Sequence, residues 1–335
     1  MTPRSLFNRF VGTDLRVGDL VEVRSLAEIR ATLDATGHLA GLPFMPEMMQ
    51  YVGKRFRVKK VAHKTCDSIG TYGLRHLTDA VHLDTRCDGS AHDGCQAACL
   101  LFWRRAWLKR LDGGNGGTAP SAAVTTICDL GQLQRATRVS DPGGTIRYRC
   151  QATQLEGLTT PLYPWDVRQY LRDFLSGNVP WPRIVSTTAV AFLKYLIRLV
   201  IGRKSVKALK RVLEAFRRET TNHSTPVEAT KLRTRNLQPG DIVEVGSQKQ
   251  IAETLDHESK NRGLYFDADM LRYARGRYRV VGRVERIIDE KTGTMLRISK
   301  DCIILDGVTC TALCKRDRLF CPRGTYAYWR EAWLA

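Results

Sequence analysis

Four soft metal ligands fall within thirteen residues of this 335-residue chain: Cys87, His92, Cys95 and Cys99, in the run Cys-Asp-Gly-Ser-Ala-His-Asp-Gly-Cys-Gln-Ala-Ala-Cys. Thiolate and imidazole are the donors that zinc takes, and thiolates are those of iron–sulfur clusters. Placed on a helix, Cys95 and Cys99 would lie one turn apart on one face, while Gly89 and Gly94 free the backbone to fold Cys87 and His92 back over that turn. The spacing Cys-x4-His-x2-Cys-x3-Cys is not the tight Cys-x2-Cys knuckle of structural zinc sites. An iron–sulfur cluster is therefore the preferred reading, with Cys87, Cys95, Cys99 and, from Tyr-Arg-Cys-Gln-Ala-Thr, Cys150 as its thiolates. Zinc on Cys87, His92, Cys95 and Cys99 is the alternative, and packed or reactive thiols without metal the third.

A second cysteine group closes the chain. Cys302, Cys310 and Cys321 offer three thiolates, with Cys314 spare and no histidine beside them, so this group is either completed from elsewhere or decayed. Cys66 and Cys128 fall outside both patterns and read as packed thiols. Both groups run into tryptophans: Trp103, Arg104, Ala106, Trp107 and Leu108 recur as Trp329, Arg330, Ala332, Trp333 and Leu334. Their spacing suits a short amphipathic helix closing each copy, where tryptophans serve as core rather than as a base-stacking platform.

The elements that must position these groups are themselves duplicated. Shifting the chain by 222 positions aligns residues 15–58 with 237–280 without gaps, with 19 identities in 44 positions. In each copy a Gly-Asp turn launches a short alternating strand, residues 20–24 and 242–245. Ser25 with Glu28 then forms a capping-box pattern ahead of a helix, a second short helix covers 46–51, and a strand follows at 55–61, matched by 277–284. Further strands are expected at 80–83 and 302–305. Short strands with helices inserted on one side read as a small antiparallel α+β unit. The strand opened by Pro239-Gly240-Asp241 and the later Gly276-Arg277-Tyr278-Arg279-Val280-Val281 resemble the small SH3-like barrels. That resemblance implies two duplicated SH3-like antiparallel barrels with inserted and closing helices, and no function. The expected domains are 1–112, a first barrel with the Cys/His site; 113–235, a linker and a mostly helical basic segment; and 236–335, the second barrel with its cysteine group.

The middle segment carries 19 Lys or Arg against 8 Asp or Glu, so it supplies +11 of the chain's net +19. Residues 113–123 and 220–228 read as connectors. A helix is expected over 165–175 with Val167, Tyr170, Leu171, Phe174 and Leu175 as its apolar pattern, stopped by Ser176-Gly177-Asn178. Residues 184–201 form a long apolar helix, but Lys194 and Arg198 make a transmembrane span too costly, and a core role is expected. Residues 203–218 form a basic amphipathic helix in which Arg203, Lys204, Lys207, Lys210 and Arg211 suit an anionic membrane surface, a partner protein or nucleic acid.

These features bound the function. The first ten residues hold no apolar run of secretory length, so a cytoplasmic home is expected, with peripheral membrane attachment as an alternative. No phosphate-cradling Gly-x4-Gly-Lys loop, no Gly-x-Gly-x2-Gly and no His-Glu-x2-His occurs. The carboxylates Asp19 and Glu22, repeated as Asp241 and Glu244, do not share one face of a strand and read as turn caps and surface charge. The leading expectation is a metal-binding accessory protein attached to an anionic partner. Behind it stand a metalloenzyme with its site between domains, and a nucleic-acid binder.

Overall fold

The computed structural model describes residues 11, 13–70, 73–111, 130–187, 236–313 and 318–335. The chain falls into two compact units, one holding the residues up to Asn178 together with those from Asn236 onward, the other running from Val179 to Arg235. The basic cluster Arg203, Lys204, Lys207, Lys210 and Arg211 lies outside the described residues, as do Cys128, Cys314 and the connectors at 113–123 and 220–228. Among the described residues no helix is long and apolar enough to cross a membrane.

The first unit mixes short helices with small antiparallel sheets. The two copies pair their strands in matching register: Leu20↔Arg57, Val21↔Phe56 and Glu22↔Arg55 become Ile242↔Arg279, Val243↔Tyr278 and Glu244↔Arg277. Ser25 caps the helix Leu26–Arg30 and Ser247 caps Gln248–Glu253, each accepting from the backbone N–H three residues on at 3.3 Å. Both copies then carry a tiny hairpin, His38–Leu39 with Leu42–Pro43 and its counterpart Lys260–Asn261 with Leu264–Tyr265, and a 3-10 turn, Pro46–Tyr51 and Ala268–Tyr273. The cores correspond as well. Phe44 stands edge-on to Trp103 and Trp107, with centroids 6.5 and 5.3 Å away, and Phe266 does the same to Trp329 and Trp333 at 6.1 and 5.1 Å.

Two sequence expectations are corrected here. Among the described residues no sheet closes into a barrel: in the first copy Leu108–Arg110, Leu20–Val23 and Arg55–Arg57 form one three-stranded sheet, and Lys60–Val61, Ala80–Arg86 and Leu100–Arg104 another. The strand expected at 55–61 breaks because Val58 N–H donates back to Asp19 O whereas Lys59 N–H donates to His82 O, so the chain changes sheets between them. The closing helices are also absent. Trp103 and Trp329 sit on strands, Leu100–Arg104 and Tyr326–Trp329, and only a 3-10 turn, Arg105–Trp107 or Glu331–Trp333, follows. Leu100–Arg104 is buried throughout, and a strand covered on both faces shows no alternation that sequence could separate from a helix.

The helix expected at 165–175 forms over Arg168–Leu175, but its burial is inverted. Leu171 and Phe174 are 48% and 41% exposed, whereas Gln169 and Asp173 are fully buried. The cause is a buried cation. Asp173 accepts from Lys64 Nζ at 2.6 Å and contacts His63 Nε2 at 2.8 Å, and Gln169 Oε1 takes a second Lys64 bond at 3.3 Å. A fully buried ammonium must be paired, and that requirement outweighs the burial of two apolar side chains.

Candidate metal centre

The loop that carries the first cysteine group joins strands Ala80–Arg86 and Leu100–Arg104. Cys87 N–H donates to Cys99 O at 2.9 Å and ties its ends together. Inside, His92 N–H and Gly94 N–H both donate to Gly89 O at 2.9 Å, and Cys95 N–H to His92 O at 3.1 Å. Asp93 and Ala98 take positive φ, so no helix carries Cys95 and Cys99, contrary to expectation. Gly89 has φ +71°, and a Cβ there would stand 2.1 Å from Cys95 O. Only glycine fits.

The loop is held from the second copy too. Gln96 N–H donates to Arg286 O, its Oε1 accepts from the N–H groups of Glu285 and Arg286, and Ile288 N–H points at Cys95 Sγ at 3.4 Å. Cys150 comes from elsewhere, standing at the N-cap of helix Gln151–Leu158, whose Gln151 side chain bonds both the N–H and the C=O of Phe102. As a result Cys87, His92, Cys95, Cys99 and Cys150 line one small cavity of about 30 Å³, together with Arg323.

His92 and Glu47 form the polar end of this cavity. His92 Nδ1 lies 2.5 Å from Glu47 Oε1, and its Nε2 lies 3.0 Å from Arg149 O. Burial pulls the imidazole pKa down, but the Glu47 carboxylate and the Arg149 carbonyl outweigh it and hold His92 above its ordinary value. Glu47 Oε2 is buried with no partner. Glu47, Cys87 and His92 each bring one ligand atom within 4.8 Å of the others. Glu47 is a residue that sequence reading missed; its place in the Pro46–Tyr51 turn gives no hint that its carboxylate faces a loop 45 residues on.

The thiols feel one another. Burial pushes Cys87 far up, and the charges of Glu47, Cys99 and Cys150 add to it. Burial likewise lifts Cys99 to about 12, with Cys150 and Cys95 contributing, and Cys150 to about 11, with Cys95 contributing. Such thiols are neutral at pH 7, so a metal ion must displace their protons to bind.

The second group is arranged differently from its sequence pattern. Cys310 and Cys321 line a separate cavity, while Cys302 packs in an apolar cluster with Val284 and Ile304, where burial lifts its pKa to about 11, and it lines neither cavity. Cys66, read from sequence as a packed thiol, lines the same cavity as Cys310 and Cys321, and the neighbouring Cys321 thiol, with Arg323 and Arg318, brings Cys66 down to about 5. No family model, curated protein or solved structure matches this chain.

Proposed function

We propose that the chain is a metal-binding protein of two open SH3-like barrels, in which one zinc-type ion on the thiols of Cys87, Cys95, Cys99 and Cys150 fixes the 87–99 loop and a basic exterior attaches the assembly to an anionic partner. The observation that carries this reading is the arrival of Cys150 at the cavity lined by the other three cysteines, 51 residues after Cys99. Thiols gathered without a cation only raise each other's pKa, whereas a divalent ion turns the same gathering into bonds. Among the described residues only Glu47, Cys87 and His92 bring their ligand atoms within 4.8 Å of one another, so binding at the four thiols would draw Cys95, Cys99 and Cys150 in towards Cys87. The SH3-like part of the reading rests on strand order: Leu20–Val23 pairs on one side with Arg55–Arg57 and on the other with Leu108–Arg110, which follows the 3-10 turn. The bridge Val245↔Leu334 repeats that last pairing.

A second reading is favoured by one specific observation, the convergence of Glu47, Cys87 and His92 within 4.8 Å. A mixed carboxylate, thiolate and imidazole set also suits zinc, although His92 would surrender one of its two ring hydrogen bonds. Metal analysis of full-length protein purified without air tests both. Cys99→Ser and Cys150→Ser should each lower bound zinc by about one equivalent while His92→Ala retains it; the mixed set predicts the reverse for Cys150→Ser and His92→Ala. Brown protein containing iron and acid-labile sulfide would defeat the single-ion reading, and metal-free protein would defeat both.

A further inference from the structure

The inverted helix Arg168–Leu175 leaves an apolar stripe on the outside of the first unit. Val167, Leu171 and Phe174 fall at i, i+4 and i+7, which places them on one side of the helix, and Val167 is 73% exposed. Immediately before the helix come two aromatic rings, Tyr163 and Trp165, stacked at 4.8 Å with their planes 9° apart, and Trp165 is 75% exposed. The segment is held rigid from behind. Strand Thr160–Leu162 pairs with Leu74–His76, and Asp166 N–H donates to Tyr163 O at 3.0 Å. Gln169 Nε2 and the Tyr170 hydroxyl donate to the carbonyls of Tyr163 and Pro164, both at 2.9 Å.

We propose that this face, from Tyr163 to Phe174, docks on an anionic lipid bilayer, with its aromatic and aliphatic side chains entering the headgroup layer. The inference rests on the reading that a basic exterior binds an anionic partner, and it names that partner. Exposed apolar side chains gathered in one place mark a contact surface, whereas the same residues scattered singly are ordinary. Five of the twelve large hydrophobic side chains exposed among the described residues, Tyr163, Trp165, Val167, Leu171 and Phe174, belong to this one short run. Their types fit a bilayer interface: Trp and Tyr, each an apolar ring with one polar atom, concentrate at headgroup depth, and Val and Leu reach just below it. Charge then selects among the occupants. Asp173 is buried against Lys64, so the ionised side chains beside the stripe at the surface are Arg168, Arg172 and Asp166. The sequence around them, residues 113–235, carries +11. Two copies of a chain with net charge +19 repel each other, whereas an anionic bilayer draws that charge in before the apolar side chains insert. Nucleic acid gains little here, because Val167 and Leu171 offer nothing to a phosphate and the rings of Tyr163 and Trp165 already cover one face of each other.

Full-length protein is sedimented with vesicles of equal parts phosphatidylcholine and phosphatidylserine, with phosphatidylcholine vesicles, and passed in parallel over immobilised single-stranded polynucleotide. The parent should bind the mixed vesicles, Trp165→Ser/Leu171→Ser should bind them about tenfold or more weakly, and Trp165→Phe should stay close to the parent. Both substituted side chains are exposed, so the thermal midpoints of all three proteins should agree. Vesicle binding by the double Ser variant equal to the parent's would overturn the docking face and leave the anionic-partner reading standing. Retention on polynucleotide without vesicle binding would do the same, and a dimer that the double Ser variant abolishes, again without vesicle binding, would assign the face to a second copy. Failure to bind either polyanion would overturn both the face and the reading beneath it. Equal binding to phosphatidylcholine alone would overturn the choice of an anionic bilayer. A measurement on the unaltered chain guards against misfolded variants. Trp103, Trp107, Trp329 and Trp333 are buried, so a blue shift of tryptophan emission on adding mixed vesicles reports the exposed rings, and it should shrink in Trp165→Phe. Emission unmoved when the parent sediments with vesicles would sink the idea.

Discussion

At Gly89 a single hydrogen in place of a methyl group decides whether the 87–99 loop can close. Its left-handed φ and the Cys95 carbonyl beneath it leave no room for a Cβ, so Gly89→Ala should cost at least about 2 kcal/mol in urea unfolding and lower zinc retention in parallel. Gly94→Ala, at a similar φ but with open space around the Cβ, should cost less and keep the metal. His82 makes a different residue-level forecast. Its ring is buried against Phe102, Nδ1–H donates to Leu101 O, and Nε2 is buried without a partner. Burial therefore depresses its pKa to about 4. The unfolded chain binds this proton near pH 6.5 and the folded chain does not, so stability is full above that pH and declines as pH falls from 6.5 towards 4, by roughly 3 kcal/mol in total. Denaturant titrations across that window should show a slope about one proton smaller in His82→Gln than in the parent.

Helix Arg168–Leu175 shows how one buried charge can set the face of an element. Asp173→Ala leaves Lys64 charged, buried and short of its carboxylate, and should cost about 3–5 kcal/mol, while Leu171→Ala on the exposed side should stay within about 0.5 kcal/mol. The joint replacement Lys64→Met/Asp173→Leu should recover most of the loss, because it removes both charges together. A smaller asymmetry separates the duplicated strands. Trp103 Nε1–H donates to Thr85 at 2.8 Å, but the position 222 residues later is Gly307, and Trp329 Nε1 has no partner. The second copy thus keeps the packing of its tryptophan and gives up its hydrogen bond.

For the molecule as a whole, the net charge of +19 and the paired copies make separate demands. If the basic run at 203–218 attaches the protein to a polyanion, replacing Lys204, Lys207, Lys210 and Arg211 together by Gln should weaken retention on acidic lipid vesicles or nucleic acid, and added salt should weaken the parent's retention as well. Binding equal to the parent's would reduce the charge to a solvated surface. The two copies, meanwhile, are joined where the chemistry is. Gln96 reaches the backbone of Arg286, Arg86 donates to Gly324 O, and Arg323 lines both thiol cavities. Arg323→Gln should therefore change the reactivity of Cys66 as well as that of Cys99 towards iodoacetamide, a coupling that substitutions confined to one loop would not produce.

What was legible in the sequence is what local rules govern. The 222-residue repeat, the Ser25 and Ser247 caps, the Gly-Asp turns and the strands they launch depend on neighbours a few residues apart, and the matched registers follow from them. The ligand types at 87–99 were legible for the same reason. Tertiary structure alone decided which distant groups come together: Glu47 against His92, Cys150 in one cavity with Cys99, Cys66 in another with Cys321, and Lys64 against Asp173. It also overruled local pattern twice, turning the Arg168–Leu175 helix polar side inward and drawing Trp103 into a strand, because a buried charge and a strand covered on both faces answer to partners that periodicity cannot register.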